Sequence, residues 1–259
     1  MIKKPDHYSH LFPVEHNQTV CTECPVRRLA LFHGVEEKDL EWTQAYRSSQ
    51  YKVQPRKEIY REGHVSDFMF TLYHGWVAFY KTLGNGKRQI LRIALPGDML
   101  GFQSNLNASM THSAVALTEA VLCAFPRKDM PDLLRNNLSV AKRLTELNAR
   151  DMNICQTRLV TIGQQSAIER IAFFCTELFY RVRSIHQQPE ASEIFFPLSQ
   201  EDIGDATGLT KIHVNRTLKA LREQGLMEIS QKTLRIHDLD ALGELGGFDP
   251  SLIHTYSLY

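Results

Sequence analysis

The chain has 259 residues and a formal net charge of +1, and 43% of its residues are hydrophobic and 23% charged. A chain of this length and composition can bury a hydrophobic core, which excludes disordered and fibrous proteins and predicts one or two globular domains. Its sequence holds no apolar run of about 18 residues and begins without the hydrophobic stretch of a secretory signal. We therefore expect a cytoplasmic protein that does not contact a membrane.

The first half of the chain, from Lys52 to Phe125, alternates between short apolar runs and turns. Runs of this kind predict antiparallel strands that close into a small barrel or jelly roll. The predicted strands are 68–73, 76–82, 88–95, 112–117 and 121–125, with turns at 84–87 and 96–98.

Barrels of this kind often hold a ligand, and this leaves an alternative function open. The chain could be a barrel-based small-molecule binding protein, or a cupin-like metal enzyme with a helical tail. A three-histidine metal site needs a His-x-His pair with further ligands downstream, whereas His64, His74 and His112 are single and widely spaced. The histidine spacing therefore disfavours the metal enzyme.

Long helices replace the strands near Arg127. A short helical turn over 131–135 precedes a predicted helix over 138–162, which Gly163 is expected to end. The apolar stripe of the long helix consists of Val140, Leu144, Leu147, Ile154 and Val160. Such a stripe either packs on the barrel of its own chain or forms a two-stranded coiled coil with a second copy. Under the second interpretation the dimerisation residues are Val140, Leu144, Leu147 and Ile154.

A capping box predicts the start of the next helix. Ser166 and Glu169 have its spacing, and the helix should extend to about Ser184. Cys175 lies on the apolar face of this helix and is most simply a buried core thiol.

Residues 198–229 place two short amphipathic helices around a tight turn. Ser199 with Asp202 three residues later is a capping pattern for the first helix, and Val214, Leu218 and Leu221 form the apolar stripe of the second. The other boundary residues are Thr207-Gly208 at the end of the first helix, Thr210 as the second cap, and Gly225 as the second stop. This arrangement favours a helix-turn-helix.

The outer face of the second helix combines an exposed isoleucine with cations and an amide, which suits the major groove of DNA better than bulk water. The residues expected to read bases are Lys211, Ile212, His213, Asn215 and Arg216. The residues expected to hold the DNA backbone are Ser199, Thr210, Lys219, Arg222, Lys232 and Arg235. A charged face of an ordinary helical hairpin is the alternative.

A predicted β-hairpin follows the second helix. Apolar and polar residues alternate in two short runs, 226–230 and 233–237, on either side of a polar Gln231-Lys232 turn. This pattern is typical of the wing of a winged helix. Together with the caps, the turn and a local excess of basic residues, the hairpin favours DNA binding. Two copies joined through the long helix would read a palindrome.

In this order the barrel, the long helix and the winged helix resemble the CRP/FNR superfamily of bacterial transcription regulators. The resemblance rests on GWVAFYKTLGNGKRQILRIALPGDMLGF at 75–102, and on Asp202-Ile203-Gly204 and Gly208-Leu209-Thr210 through Asn215-Arg216. It implies a homodimer that binds palindromic promoter DNA, contacts RNA polymerase and acts as an activator or repressor, with the barrel as sensor. By resemblance, the polymerase contact candidates are Asn85, Lys87 and Arg88.

The resemblance also bears on cofactors. Nucleotide-binding members place a Glu after the glycine of the barrel turn and an Arg-Ser about ten residues later, whereas this chain has Phe102 and His112-Ser113. We therefore expect no cAMP binding. By resemblance, Gln103 occupies the position at which the haem-binding members have a histidine, so we expect no haem.

Five cysteines, an odd and sparse set, argue against a disulfide framework. Cys21, Cys24 and Cys123 resemble three of the four [4Fe–4S] ligands of the FNR branch, and Ala30 occupies the remaining position. A cluster would need an unusual fourth ligand such as Glu23 or His33. We expect a relative without a cofactor, although a [4Fe–4S] cluster is the alternative.

The predicted fold class is α+β: an N-terminal antiparallel β-roll, a long dimerisation helix and a C-terminal winged helix-turn-helix. The predicted segments are an N-terminal arm (1–28), a sensor β-roll (29–130), a connecting helix (131–163), a DNA-binding domain (164–245) and a C-terminal tail (246–259). We expect a transcription regulator and not an enzyme. In the best-known members a Glu stands where this chain has Ile212, so we expect a half-site that differs from theirs, with Ile212 against a thymine methyl.

Overall fold

The computed structural model describes residues 11–14, 18–36, 40–103, 105 and 107–253. Residues 1–10 and 15–17 of the predicted N-terminal arm, and 254–259 of the predicted tail, lie outside this part of the chain. The chain divides into two compact units: one has the residues up to Lys81 together with Arg92–Leu147, and the other has Thr82–Leu91 and the residues from Asn148 onward. No helix among the described residues is long and apolar enough to span a membrane.

The first unit contains most of an antiparallel β-roll of two sheets, of which only the hairpin tip Thr82–Leu91 belongs to the second unit. Its strands are β1 (Leu11–Pro13), β2 (Ser49–Val53), β3 (Glu58–Tyr60), β4 (Phe68–His74), β5 (Val77–Thr82), β6 (Arg88–Ala94), β7 (Met99–Leu100), β8 (Ser113–Ala116) and β9 (Ala120–Pro126). One sheet has the order β1-β2-β9-β4-β7 and the other the order β3-β8-β5-β6. The predicted β-roll is confirmed.

The central strands of the larger sheet are apolar on both faces because each face is covered. Phe70 and Leu72 of β4 enter the core cluster inside the roll, whereas Met69 of β4 and Phe125 of β9 enter a second cluster. Successive side chains of a strand point to opposite faces, so an almost continuous apolar run is the expected sequence of a strand buried in this way.

The second cluster is completed by helices. These are α1 (Leu40–Ala45), α2 (Met130–Asn136) and α3 (Leu138–Gln164), the last of which continues through Gly163 instead of ending there. Val140 and Leu144 of α3 are buried in this cluster against Met69 and Phe125.

The predicted dimerisation residues of α3 are buried in the single chain. Leu147 and Ile154 are 3% and 2% exposed, and Val140 and Leu144 lie in the second core cluster. A role of these four side chains in dimerisation stays a prediction. The exposed apolar residues of α3 are instead Leu138, Met152, Leu159 and Val160.

The second unit is built around one buried helix. Its elements are α4 (Ala167–His186), β10 (Glu193–Phe195), α5 (Gln200–Thr207), α6 (Lys211–Glu223), β11 (Met227–Ser230), β12 (Thr233–Ile236) and α7 (Leu239–Gly246). Helix α4 contacts α5, α6 and α7. The Ser166–Glu169 capping box is present, with the Ser166 N–H donating to Glu169 Oε2 at 2.7 Å. Cys175 is fully buried, and burial raises the pKa of its thiol to about 12.

A three-stranded antiparallel sheet of order β10-β12-β11 follows the two short helices. Strands β11 and β12 pair Ser230 with Thr233, so Gln231 and Lys232 form a two-residue turn, and both have a positive φ. This is the geometry that favours tight hairpins. The winged helix-turn-helix of the predicted fold class is confirmed, and β10 is a strand that the sequence pattern did not reveal.

Candidate DNA-binding site

A capping box fixes the start of α5. Ser199 Oγ accepts from the Asp202 N–H at 3.1 Å, and Asp202 Oδ2 in turn accepts from the Ser199 N–H at 3.0 Å. These bonds satisfy amide groups that the first turn of a helix leaves without partners. The orientation of α5 is therefore set locally by two residues that the sequence identifies.

The turn between α5 and α6 depends on two glycines. Gly208 ends α5 with a φ of +71°, a left-handed conformation that a side chain would strain. A Cβ on Gly204 would lie 2.6 Å from the Leu209 carbonyl oxygen, so the turn can pass this close only over a glycine. The tight turn holds the two helices in the arrangement of a helix-turn-helix.

Helix α6 has one buried face and one exposed face. The Thr210 hydroxyl caps its start by accepting from the His213 N–H at 3.3 Å. Val214 and Leu221 are fully buried, Thr217 is nearly so, and Leu218 is half-buried. The predicted apolar stripe therefore attaches α6 to the unit and leaves its opposite face to solvent.

All five predicted base-reading residues lie on the exposed part of α6. They are Lys211, Ile212, His213, Asn215 and Arg216. Ile212 is 66% exposed, which is unusual for an isoleucine on an otherwise polar surface. An aliphatic side chain beside an amide and a guanidinium can contact a thymine methyl while the polar groups bond to base edges.

The predicted backbone contacts are also exposed, but two of the basic ones are ion-paired within the chain. Ser199, Thr210, Lys219, Arg222, Lys232 and Arg235 are all exposed. The Arg235 guanidinium donates to Glu193 at 2.7 Å and to Glu228 at 3.2 Å. The hydrogen bond to Glu193 is the main reason why the pKa of Arg235 is raised. Lys219 Nζ lies 3.7 Å from Glu223. Glu193 belongs to β10, a strand that the sequence pattern did not predict, so this ion pair could not be predicted either.

Comparisons with known proteins match both units. Residues 51–137 match the model of the cyclic nucleotide-binding domain, and residues 169–245 match that of the Crp-like helix-turn-helix domain. The nitrogen fixation regulation protein FixK of Rhizobium meliloti (strain 1021) is 35% identical over 192 residues, which is 74% of this chain and 84% of FixK. The chain belongs to the CRP/FNR family of transcription regulators. This CRP/FNR regulator binds DNA through its helix-turn-helix.

Two further relatives agree. The transcriptional activatory protein AadR of Rhodopseudomonas palustris is 29% identical over 218 residues, which is 84% of this chain and 89% of AadR. The solved structure of FixK2 from Bradyrhizobium japonicum has a TM-score of 0.69 and 27% identity, and covers 76% of this chain and 96% of that one. By their names, FixK and AadR are regulatory proteins.

In the β-roll of this CRP/FNR regulator, His112 and Phe102 stand at the positions where nucleotide-binding members contact cAMP, and both contact other side chains of the chain. His112 Nε2 lies 2.9 Å from the Tyr60 hydroxyl, and the His112 ring is 5.0 Å from that of Phe79. Burial, followed by the charge of Arg92, lowers the pKa of His112 to about 4. Phe102 packs against the second core cluster. These two positions supply neither the carboxylate nor the guanidinium that a cyclic nucleotide would need.

The haem-related residue is also engaged. Gln103 Oε1 accepts a hydrogen bond from Arg127 Nη2 at 3.2 Å. An amide is not an axial haem ligand of the usual kinds.

The three FNR-like cysteines lie together but do not fit a [4Fe–4S] cluster. Burial is the largest cause that raises the pKa of Cys21, Cys24 and Cys123, and for Cys21 and Cys24 the neighbouring thiols raise it further. A cluster needs thiolates, and the fourth position is the buried methyl of Ala30. Among the described residues, no group of three or more His, Cys, Asp or Glu could hold a metal ion. Gln50 Nε2 instead donates to Cys123 Sγ at 3.2 Å.

The polymerase contact candidates divide into two kinds. Asn85 and Lys87 are exposed at the tip of the β5–β6 hairpin. The Arg88 side chain is 27% exposed and ion-paired with Asp202 and Asp205 of α5. Asn85 and Lys87 are thus accessible to a partner, whereas Arg88 is held by the chain itself.

Proposed function

We propose that the protein is a transcription activator that binds a palindromic promoter site as a homodimer and contacts RNA polymerase, with no enzymatic activity of its own. The observation that carries the proposal is the exposed face of α6, where Ile212, Asn215 and Arg216 project from a helix whose other face is buried. The family membership, and the similarity to the transcriptional activatory protein AadR, support activation.

The proposed roles of the DNA-contacting residues follow from the exposure of their side chains. Lys211, Ile212, His213, Asn215 and Arg216 read bases, and the six backbone candidates hold phosphates. Residues 164–245 are the DNA-binding segment and 131–163 the connecting segment. Asn85 and Lys87 remain the candidates for a polymerase contact, and neither a cluster nor a nucleotide is proposed as cofactor.

The proposed dimer face is the exposed stripe of α3. Leu138, Met152 and Leu159 are 84%, 59% and 75% exposed and lie at multiples of seven residues. A seven-residue spacing keeps side chains on one side of a helix and is the repeat of a coiled coil. These apolar side chains are exposed to water in a single chain. We therefore propose that a second copy of the chain packs against them.

The reading residue Ile212 supplies the test. Ile212→Glu places a carboxylate where it can accept from the amino group of cytosine, so selection from a randomised duplex library should return a half-site that differs from the wild-type one at one position. Affinity for the wild-type palindrome should fall about 100-fold, since each of the two half-sites loses one base contact that contributes roughly 1–3 kcal/mol.

Lys219→Ala is the matched control for Ile212→Glu. It removes a backbone contact, so it should weaken binding to all sequences alike and leave the selected half-site unchanged. If Ile212→Glu selects the same base as the wild type at every half-site position, Ile212 does not face the bases.

A further inference from the structure

The hairpin between β5 and β6 belongs to the second unit together with the DNA-binding helices. Its tip is closed by the Leu83 N–H donating to the Lys87 carbonyl at 2.8 Å and by the Gly86 N–H donating to the Leu83 carbonyl at 2.9 Å. The hairpin, Thr82–Leu91, is therefore an ordered element with its own hydrogen bonds. Two of its residues make polar contacts with helices of the same unit.

The first contact joins the hairpin to α5. Arg88 Nε donates to Asp205 Oδ2 at 2.7 Å, and Arg88 Nη2 donates to Asp202 Oδ1 at 3.0 Å. Asp202 is 1% exposed, and its other oxygen accepts from the N–H and the hydroxyl of Ser199. One guanidinium thus bridges two carboxylates about one turn apart, and one of these carboxylates, that of Asp202, belongs to the capping box of α5.

The second contact joins the hairpin to α3. Arg158 Nη1 donates to the Leu91 carbonyl at 3.1 Å. Arg158 is itself fixed, because it is 7% exposed and ion-paired with the fully buried Glu177 of α4. The hairpin therefore connects α3, which carries the exposed apolar stripe, with α5, which begins the helix-turn-helix.

We propose that Arg88 is a positioning residue that fixes the helix-turn-helix relative to α3. This rests on the proposed function, in which two copies pair through α3 and read the two halves of a palindrome. The distance between two recognition helices then depends on the angle that each makes with its own α3. A bidentate bridge at the cap of α5 holds that angle, because a guanidinium with two fixed acceptors allows little rotation.

The test compares a full palindrome with a single half-site. Both duplexes carry the sequence that the wild-type protein selects from a randomised library, and affinity is measured by fluorescence anisotropy. Arg88→Ala should weaken binding to the palindrome about tenfold, because the two recognition helices no longer hold the required spacing. Binding to the half-site should change less than about twofold, since α6 itself is untouched.

Three variants separate this role from a loss of folding. Asp205→Ala should reproduce the loss on the palindrome, and the double variant Arg88→Ala/Asp205→Ala should be no weaker than Arg88→Ala, as expected for partners in one interaction. Lys128→Ala removes the same charge at an exposed position outside the hairpin and the helix-turn-helix and should leave both affinities unchanged.

Three results would overturn the positioning role. They are an equal loss on palindrome and half-site, an unchanged affinity for the palindrome, and a gain in that affinity. If the wild-type protein selects no palindrome, the proposed function has failed before Arg88 is tested, so the two failures are distinguishable.

Discussion

Replacing Leu159 with aspartate should turn the proposed dimer into a monomer and weaken binding to a palindromic duplex at least about 100-fold, because in the proposed dimer the change puts two carboxylates into an apolar contact. Leu159 is 75% exposed in the single chain, so the substitution leaves the fold of the protomer intact. Met152→Asp, one heptad earlier, should have the same effect. Sedimentation equilibrium measures the association and anisotropy measures the DNA affinity.

The control for the dimer prediction is Asn153→Asp. It adds the same charge at an exposed position about 100° around α3 from Met152, outside the proposed stripe. It should leave the dimer and the DNA affinity nearly unchanged. A Leu159→Asp protein that remains a dimer at micromolar concentration would show that the second copy docks elsewhere.

Replacing Glu177 with glutamine should lower the free energy of unfolding by about 3–5 kcal/mol, because it leaves two buried guanidinium groups without their anion. Glu177 is 1% exposed, Arg181 Nη1 lies 3.0 Å from its Oε1, and Arg158 bonds to its Oε2. Burial on its own would raise the pKa of this carboxyl, but Arg158 and Arg181 outweigh burial and lower it. Urea unfolding followed by circular dichroism measures the loss.

Two comparisons test the reason for the loss. Glu190→Gln removes an exposed carboxylate in the same unit and should leave the unfolding midpoint unchanged. The triple variant Arg158→Met/Glu177→Leu/Arg181→Met should lose far less than Glu177→Gln, because apolar groups of similar size replace the whole network. A loss below about 1 kcal/mol in Glu177→Gln would mean that water screens the guanidinium groups.

Local signals explain why the helix-turn-helix can be predicted from sequence. Ser199 and Asp202, three residues apart, form the reciprocal hydrogen bonds of a capping box at the start of α5. Gly208 has the left-handed conformation at the end of α5, and Thr210 caps α6. Each signal acts through neighbouring backbone groups, so its effect does not depend on the rest of the fold. The exposed face of α6 follows from the same helical period.

Elements with a weak local signal are harder to predict. Strand β10 has three residues, and it is a strand because Ile194 pairs with Leu234 forty positions later. Helix α7 was also missed, although Asp238 accepts from the Ala241 N–H and had the spacing of a cap. Predicting β10 requires knowledge of its partner strand. The capping signal of α7, in contrast, is present in the local sequence.

The face of α3 that meets the protomer's own core could not be derived from its sequence. Periodicity predicts an apolar stripe on this helix, but it does not tell whether the stripe packs on its own protomer or on a second copy. Val140 and Leu144 became buried because the second core cluster offers them Met69 and Phe125, which are contributed by distant strands. Arg88 and Asp202 are likewise 114 residues apart, so no local pattern relates them.

The most direct measurement of the central proposal is the sequence that the wild-type protein selects from a library of randomised duplexes. Two copies paired through α3, each with Ile212 and Arg216 on an exposed recognition helix, should select a two-fold symmetric site with half-site centres about one helical turn apart, or about 10–10.5 base pairs. Enrichment of a single asymmetric half-site, or of no sequence at all, would contradict a dimeric reader of palindromic DNA.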